Sequence, residues 1–477
     1  MTGGLELGDV YGATVERIKA QGGDKSRLGM AALMWISHAE RPLQAGELCH
    51  ALAVRLGSTD FNVDNVPSIS TLVGCCQGLI TVDKEASTVR LIHFTLQEYL
   101  SSHLDIFIRP HSAMAEICLT YLNSQQVKAL PTAPSSDIQT TPFLGYCSVY
   151  WGVHAKRELS DCARLLALEL FKGCYNQIST KFLLEQVKHF RVYARHLTTL
   201  SPFSGLHCAS FFGIVEVVAS LIEMGYDINE GDFLGGAPLA WAAHNGHEDV
   251  VKLLLGREEV DPDKLDIDGN TPLSLAAWDG HEGVVKILLA REGVNPDKPN
   301  NSGHTPLLLA AWDGHEGVVR ILLEREEVNP DKPDNNGRAP LSYAASHGHE
   351  GVVKILLERE DVNPDKPNYY GRTPLSDAAS GGHEGVVEIL LGRGQVDPDK
   401  PNNYGRTPLS LAAWWGHEGV VKMLLGRAEV NPDKPDNDGQ TPLSLAIESG
   451  CESVVALLQS RKVAAPDMVQ GPGNTSS

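Results

Sequence analysis

The chain has 477 residues, with 40 Lys and Arg against 60 Asp and Glu, which gives a formal net charge of −20. Its 42% of hydrophobic residues suffices for folded cores and excludes disorder along the whole chain. At about 100–200 residues per domain, the length predicts two to four domains. The acidic balance disfavours nucleic acid as a partner, because negative charge repels a phosphate backbone.

Compartment and membrane attachment are indicated by the N-terminus and the cysteines. The start, MTGGLELGDV, lacks the basic and apolar regions of a signal peptide. The longest apolar run, Leu28–Ile36, has nine residues, far fewer than the ~20 that span a bilayer. The nine cysteines include no CxxC pair, which is typical of free, reduced thiols. We therefore expect a soluble cytoplasmic protein without a membrane partner.

Residues 27–104 have the element order of a winged helix. Three helices are predicted first, then a hairpin, and then a closing helix. The helices lie in RLGMAALMWISHAE, LQAGELCHALAV, VPSISTLVGCCQGL and TLQEYLSSHL, and the strands lie in LITVDKE and STVRLIHF. This domain holds five Lys and Arg against seven Asp and Glu, without a basic recognition helix, which makes DNA binding the weakest alternative.

The segments MWISHAERPLQAGELCHALAV and VRLIHFTLQEYL resemble the winged helix that follows the NACHT module in fungal NLR-like (STAND) proteins. That domain is also catalogued with the winged helix of GPI inositol-deacylases. In the wider class a His at the start of the closing helix senses nucleotide, so the resemblance implies this role for His93. The alternative is a half-buried structural histidine.

The segment DVYGATVERIKAQGGDKSRL, which covers most of residues 1–26 and ends at Leu28, resembles the exit of a NACHT module. The resemblance implies that these residues are a remnant or linker and that the NACHT module itself is missing. A truncated gene model and a natural short form are both open.

Residues 105–203 are predicted to form a helical connector. Apolar residues recur at helical spacing in MAEICLTYL, CARLLALELF and STKFLLEQVKHFRVY. The segment CSVYWGVHAKREL resembles the connector between winged helix and repeats in such fungal proteins. The role implied is a spacer or a docking element.

The remainder of the chain is repetitive. TPLSLAAWDGHEGVVKILL, starting at Thr271, recurs in five close copies with a period of 34 residues, and three weaker copies flank them. We number the eight copies as repeats 1 to 8, which start at residues 204, 237, 271, 305, 339, 373, 407 and 441. The array spans 204–462 and leaves a predicted disordered tail, 463–477.

Each repeat predicts two short helices. Thr271 is a helix N-cap, and Pro272 suits the first helical position because its missing N–H has no partner there. Gly280 accepts the left-handed conformation that ends a helix. The second helix, from about Glu282, is apolar on most of its circumference, so neighbouring repeats must cover it.

These units resemble ankyrin repeats, with their T-P-L-H-x-A-A and G-H motifs and a V-V-x-x-L-L helix. The resemblance implies a mainly α fold, an ankyrin solenoid of about eight helix-turn-helix repeats with the winged helix and helical connector before it. The motif His occurs only as His207; elsewhere Ser, Leu or Ala stands there. We therefore expect a thinner side-chain network in repeats 2 to 8.

Variation between repeats concentrates in the residue pair before the glycine that ends the first helix. The resemblance implies that this pair faces the binding groove, and Trp is enriched at interface hot spots. The alternative is that each Trp packs against the adjacent repeat. The residues predicted to bind protein are Trp241, Trp278, Asp279, Trp312, Asp313, His347, Trp414 and Trp415.

No catalytic residue, metal site or cofactor is predicted. The repeated His-Glu pairs lack a second His at zincin spacing, and equivalent side chains of stacked helices lie ~8–10 Å apart. Aligning Gly269 with the glycine of a calcium loop places Lys264 at the first ligand position. The sequence has no Gly-Lys dipeptide for a P-loop and no hydrolase nucleophile elbow.

The leading hypothesis is a non-enzymatic protein-binding scaffold, the sensing part of an NLR-like signalling protein. The rival is a fragment of a nucleotide-switched STAND NTPase. Residues 1–203 hold 18 basic and 18 acidic residues, whereas 204–462 hold 22 and 41, so the negative charge belongs to the array. This predicts a protein partner with a basic face, attracted in a salt-dependent way, or merely a surface kept soluble by charge.

Overall fold

The computed structural model divides the chain into two compact bodies, Met1–Pro238 and Leu239–Ser477, which we describe separately. It describes residues 7–58, 60–83, 85–130, 141–172 and 203–464, with side chains up to residue 460. Residues 1–6, residues 173–202 of the predicted connector and nearly all of the predicted tail lie outside the described residues. Among the described helices, none combines the length and apolar composition needed to cross a bilayer.

The N-terminal body is mainly helical in its described part. Helices α1–α9 span Leu7–Lys19, Gly23–His38, Ala45–Ala53, Ile69–Cys75, Phe94–Ser102, Pro110–Asn123, Gln125–Lys128, Leu144–Arg157 and Asp161–Lys172. A 3-10 helix covers Val63–Asn65, and strands β1–β3 cover Leu43–Gln44, Ile80–Val82 and Thr88–Leu91.

Helices α2–α4 and the hairpin β2–β3 form the winged helix, as predicted. All three strands are antiparallel in the order β1-β3-β2, with Ile80 opposite Leu91 and Leu43 opposite Val89. Strand β1 was not predicted, because two residues are too short for an alternating pattern. The Trp35 side chain is fully buried at the centre.

Helices α6–α9, in the predicted connector, pack against this domain and against repeat 1. Trp35 meets Phe143 edge to face, with ring centroids 5.4 Å apart. On the other side, Trp151 meets Phe212 of repeat 1 at 5.1 Å. The described connector is therefore a packed helical layer within this body, not an extended spacer.

Within the C-terminal body, the repeats form two layers of helices, with the first helices packed on one another and the second helices likewise. Repeat 1 lies in the N-terminal body, and its helices α10 and α11 span Gly205–Phe212 and Val215–Glu223. Helices α12–α25, two per repeat, span Pro238–His244, Glu248–Leu255, Pro272–Trp278, Glu282–Leu289, Pro306–Asp313, Glu316–Leu323, Pro340–His347, Glu350–Leu357, Pro374–Gly381, Glu384–Leu391, Pro408–Trp415, Glu418–Leu425, Pro442–Glu448 and Glu452–Ala464.

The predicted caps are present. The Thr271 hydroxyl accepts from the Ser274 N–H at 3.1 Å, Pro272 stands in the first turn, and Gly280 has φ +78°. In repeat 1 the buried His207 accepts from Ser204 N at 3.1 Å and donates through Nε2 to the Glu230 carbonyl at 2.9 Å. Ser274 bonds only within its own cap, so the network is thinner there, as expected.

Two polar ladders join successive connectors. In the lysine ladder, Lys400 Nζ donates to the carboxylate and the carbonyl of Asp365, one repeat earlier, at 2.7 and 3.0 Å. In the asparagine ladder, Asn403 Nδ2 donates to the Tyr369 carbonyl at 2.9 Å. Lys298, Lys332, Lys366 and Lys434 repeat the first contact, and Asn301, Asn335 and Asn437 repeat the second. Much of the acidic charge of the connectors is thus paired inside the framework.

Candidate functional site

The variable residue pair before each glycine, which we call the strip, has a fixed backbone. The histidine that precedes the second helix of the next repeat donates through Nε2 to a strip carbonyl at 2.9 or 3.0 Å. These contacts are His281 to His244, His315 to Trp278, His349 to Trp312, His383 to Ser346 and His417 to Ser380. The histidines are framework residues, and they leave the strip side chains free to vary.

Accessibility differs along the strip. Trp278, Asp279, Trp312 and Trp414 are half-buried, and Asp313, His347 and Trp415 are exposed. Trp241, predicted with them, is only 3% exposed. It stands one turn earlier, at the position that Leu275 occupies in repeat 3, which faces the core. Trp241 is therefore a core residue, contrary to the prediction.

Trp312 lies in an aromatic cluster that spans repeats 4 and 5. Its ring stacks on Tyr343 with centroids 4.7 Å apart, and His347 lies 5.8 Å away. The Tyr343 hydroxyl donates to Asp334 at 2.9 Å, and burial together with this bond raises the pKa of Tyr343 to about 12. The neighbouring repeat thus holds Trp312 in a set orientation while part of its ring stays accessible.

The two ends of the strip differ. In repeat 7, the Arg406 guanidinium lies 5.6 Å from the Trp414 ring centroid, and the adjacent Trp415 is 60% exposed. In repeat 3, Asp279 is engaged by the strip residue of repeat 2, because its Oδ2 lies 2.6 Å from Nδ1 of His244. The accessible apolar surface is therefore greatest towards repeat 7.

A cleft of 580 Å³ opens where repeats 5 and 6 meet. Ser346, His347 and Ser380 of the strip line one side of it, and Asn336 and Tyr370 of the connector turns line another. The cleft therefore brings strip and turns to one cavity, a juxtaposition that sequence spacing does not reveal.

Asp377, at 4% exposure, lies at the floor of this cleft between two arginines. Its Oδ1 is 2.8 Å from Arg372 Nε and its Oδ2 is 3.8 Å from Arg338 Nη2, and these arginine side chains are 31% and 26% exposed. Burial raises the pKa of Asp377, although both guanidinium groups act in the opposite direction. The carboxylate thereby holds two guanidinium groups at the cleft while they remain accessible.

Sequence reasoning missed the exposed aromatic residues of the connector turns. Tyr369, Tyr370 and Tyr404 are 69%, 53% and 62% exposed. The Pro, Asn, Asp and Gly content of the connectors indicates turns and gives no sign of a binding surface. An available sign was that tyrosine replaces the Asn or Asp found at these positions in most other connectors.

His93 lies in the N-terminal body, far along the chain from the strip. It is exposed, caps α5, and its Nδ1 accepts from the Thr95 N–H at 3.3 Å. With Arg41 and Arg90 it lines a cleft of 320 Å³. The side chain is therefore reachable from solvent, whereas the structural alternative had placed it half-buried.

One cluster of possible metal ligands occurs among the described residues. Glu40, His111 and His154 each offer an atom within 4.8 Å of the others. None of the three was singled out from the sequence, because they are scattered over 115 positions of the chain.

Fold and strip define a helical-repeat protein preceded by a winged helix. A family model described as ankyrin repeats (3 copies) matches residues 206–300, 289–368, 360–436 and 395–467, together more than half of the chain. The chain therefore belongs to the ankyrin-repeat family. A second model, described as GPI inositol-deacylase, winged helix domain, matches residues 16–109. No curated protein matches the chain.

Proposed function

We propose that the chain is a non-enzymatic scaffold that captures a protein partner on the strip and connector turns of repeats 3 to 7. The supporting observation is the cleft between repeats 5 and 6, to which strip and turns both contribute. Four exposed aromatic residues belong to the strip and connector turns of repeats 5 to 7, namely Tyr369, Tyr370, Tyr404 and Trp415. Large aromatic side chains of this kind supply much of the binding energy of protein interfaces.

The charges suggest a partner of mixed character. The acidic array attracts a basic face over about a Debye length, so association slows as salt rises. At the cleft, Arg338 and Arg372 favour a carboxylate side chain of the partner, because guanidinium groups bind carboxylates with paired hydrogen bonds. The proposed epitope is an acidic residue within a basic surface.

The test is a triple variant, Trp278→Ala, Trp312→Ala and Trp414→Ala, used as bait beside the unchanged chain. A matched control replaces three exposed cations of the second helices, Lys286, Arg320 and Lys354, with Ala. The strip variant should lose its partners at unchanged helicity, and the control should keep them. Equal capture by both variants and the unchanged chain would show that the strip is not the binding site.

The setting is part of the proposal: a cytoplasmic, NLR-like signalling protein. The cysteine residues support the compartment, because within the described part of the chain Cys49, Cys75, Cys76, Cys118, Cys147, Cys162 and Cys451 are free thiols. The proposed function does not include DNA binding by the winged helix, because that domain has slightly more acidic than basic residues.

A second candidate function is that of one segment of a nucleotide-switched STAND NTPase. It is favoured by His93, which is exposed and lines a cleft with Arg41 and Arg90, both suited to phosphate. The genomic sequence upstream of Met1 tests this candidate. A Walker A reading frame there supports it, and non-coding sequence contradicts it.

A further inference from the structure

Two imidazole nitrogens face each other inside the N-terminal body. Nδ1 of His111, at the start of α6, lies 2.9 Å from Nδ1 of His154 on α8. His154 is fully buried, and His111 is half-buried. Two ring nitrogens at this separation need either a proton or a cation between them.

A carboxylate completes the group from a third element. Glu40, in the turn between α2 and β1, places Oε1 3.8 Å from Nδ1 of His154. Glu40 also lines the 320 Å³ cleft beside the winged helix, which offers a route from solvent. The three side chains therefore converge on one point that is enclosed by protein and reachable on one side.

The surrounding groups hold these side chains in place. The Tyr146 hydroxyl lies 2.9 Å from Nε2 of His154 and also accepts from the Glu40 N–H at 3.2 Å. Arg157 donates to both carboxylate oxygens of Glu40. Partners behind each ligand, a hydroxyl on the imidazole and a donor on the carboxylate, are the usual surroundings of protein-bound metal ions.

We propose that Glu40, His111 and His154 form a binding site for a transition-metal dication, with Zn²⁺ as the best match. Two imidazole nitrogens and one carboxylate suit Zn²⁺, whereas Mg²⁺ and Ca²⁺ take oxygen ligands. When the metal binds, the shared proton moves from Nδ1 to Nε2 of the same imidazole ring, so both Nδ1 atoms can bind the ion and His154 Nε2–H donates to the Tyr146 hydroxyl oxygen.

The experiment titrates ZnCl₂ into the untagged, chelator-treated full chain by calorimetry, with Co²⁺ absorption as a second reading. Glu40→Gln and His111→Gln remove a ligand at half-buried positions, so they disturb folding less than a change at His154. His103→Gln is the matched control, an exposed histidine outside the cluster. Circular dichroism and thermal melting confirm that each variant is folded.

The unchanged chain and His103→Gln should bind one equivalent of Zn²⁺ more than either ligand variant. With Co²⁺ in place of Zn²⁺, the same two proteins should show the visible spectrum of nitrogen-ligated Co²⁺. Tyr146→Phe should lower the affinity for this Zn²⁺ ion about 10-fold, the usual effect of losing a supporting hydrogen bond. Identical stoichiometry in the unchanged chain and both ligand variants, or no stoichiometric binding at all, would overturn the assignment. The histidines of the array are present in every sample, so any metal that they bind contributes equally to each stoichiometry and leaves the difference between variants unchanged.

Discussion

Asp377 stands at a position that is apolar in the repeats on either side. The equivalent residues Leu275, Leu309, Tyr343, Leu411 and Leu445 are each at most 8% exposed, as is Asp377 at 4%. We therefore expect Asp377→Leu to stabilise the array, because a leucine fits this position elsewhere in the same scaffold. The same change removes the anchor of Arg338 and Arg372 and should weaken partner capture.

The magnitude follows from three contributions. Burying a leucine side chain contributes about 1.5–3 kcal/mol. The ion pairs that are lost involve arginines 26% and 31% exposed, so solvent screens them and they are worth about 1 kcal/mol or less. After the change Arg338 keeps its hydrogen bond to Ser346 Oγ at 3.0 Å, and both arginine side chains stay partly exposed in the cleft, so neither charge is fully buried. The net expectation is a gain of about 1–2 kcal/mol in the free energy of unfolding.

Urea denaturation followed by far-UV circular dichroism measures this gain, with Asp377→Asn as the matched control. Asparagine keeps the shape and polarity and removes the buried charge without adding apolar surface, so it should gain less stability than leucine. Because the folded pKa of Asp377 is raised, protonation at acid pH relieves its buried charge. The advantage of leucine should therefore shrink as the pH falls. A loss of stability for Asp377→Leu at neutral pH would refute the reasoning and show that the Asp–Arg contacts outweigh leucine burial.

Three further outcomes are expected. Burial lowers the pKa of His207 to about 4, so the stability that its neutral form contributes is complete above pH 6.5. The free energy of unfolding should fall by about 3 kcal/mol as the pH drops to 4. His207→Gln should abolish this pH dependence in thermal melts recorded at different pH values. Lys400→Met should lower the unfolding free energy by about 1–3 kcal/mol, because a half-buried Asp365 loses its charged partner; an unchanged urea midpoint would count against the lysine ladder. Tyr369→Asn restores an amide to the asparagine ladder and should raise thermal stability by about 1 kcal/mol, and a lower melting temperature would contradict this.

The periodic part of the fold was predictable because its causes are local. Thr271, Pro272 and Gly280 mark one helix by capping, fixed φ and a left-handed end, and each signal repeats every 34 residues. The winged helix followed from apolar periodicity alone. Strand β1 was missed, since two residues pair with β3 only when tertiary structure brings them there.

The candidate site was predictable only in part. The strip was found by comparing repeats, yet Trp241 was included although it stands one turn off register with Trp278. The cleft was missed, because it joins a helix end of one repeat to the connector turn of another, and such a juxtaposition has no signature in spacing. The cluster of Glu40, His111 and His154 was missed for the same reason.

The asparagine ladder has one consequence for how the array opens. Coupling in a repeat array passes only between neighbours, so cooperativity is limited by the weakest junction. Tyr369 of repeat 5 replaces the asparagine that would donate to the Asn335 carbonyl of repeat 4, whereas Asn403 of repeat 6 keeps its bond to the Tyr369 carbonyl. In repeat 6, a buried carboxylate at residue 377 replaces a leucine. Thermal opening should therefore begin around repeat 5 and divide the array into two cooperative blocks. The residues that line the cleft are thus the ones whose local stability a bound partner would raise most.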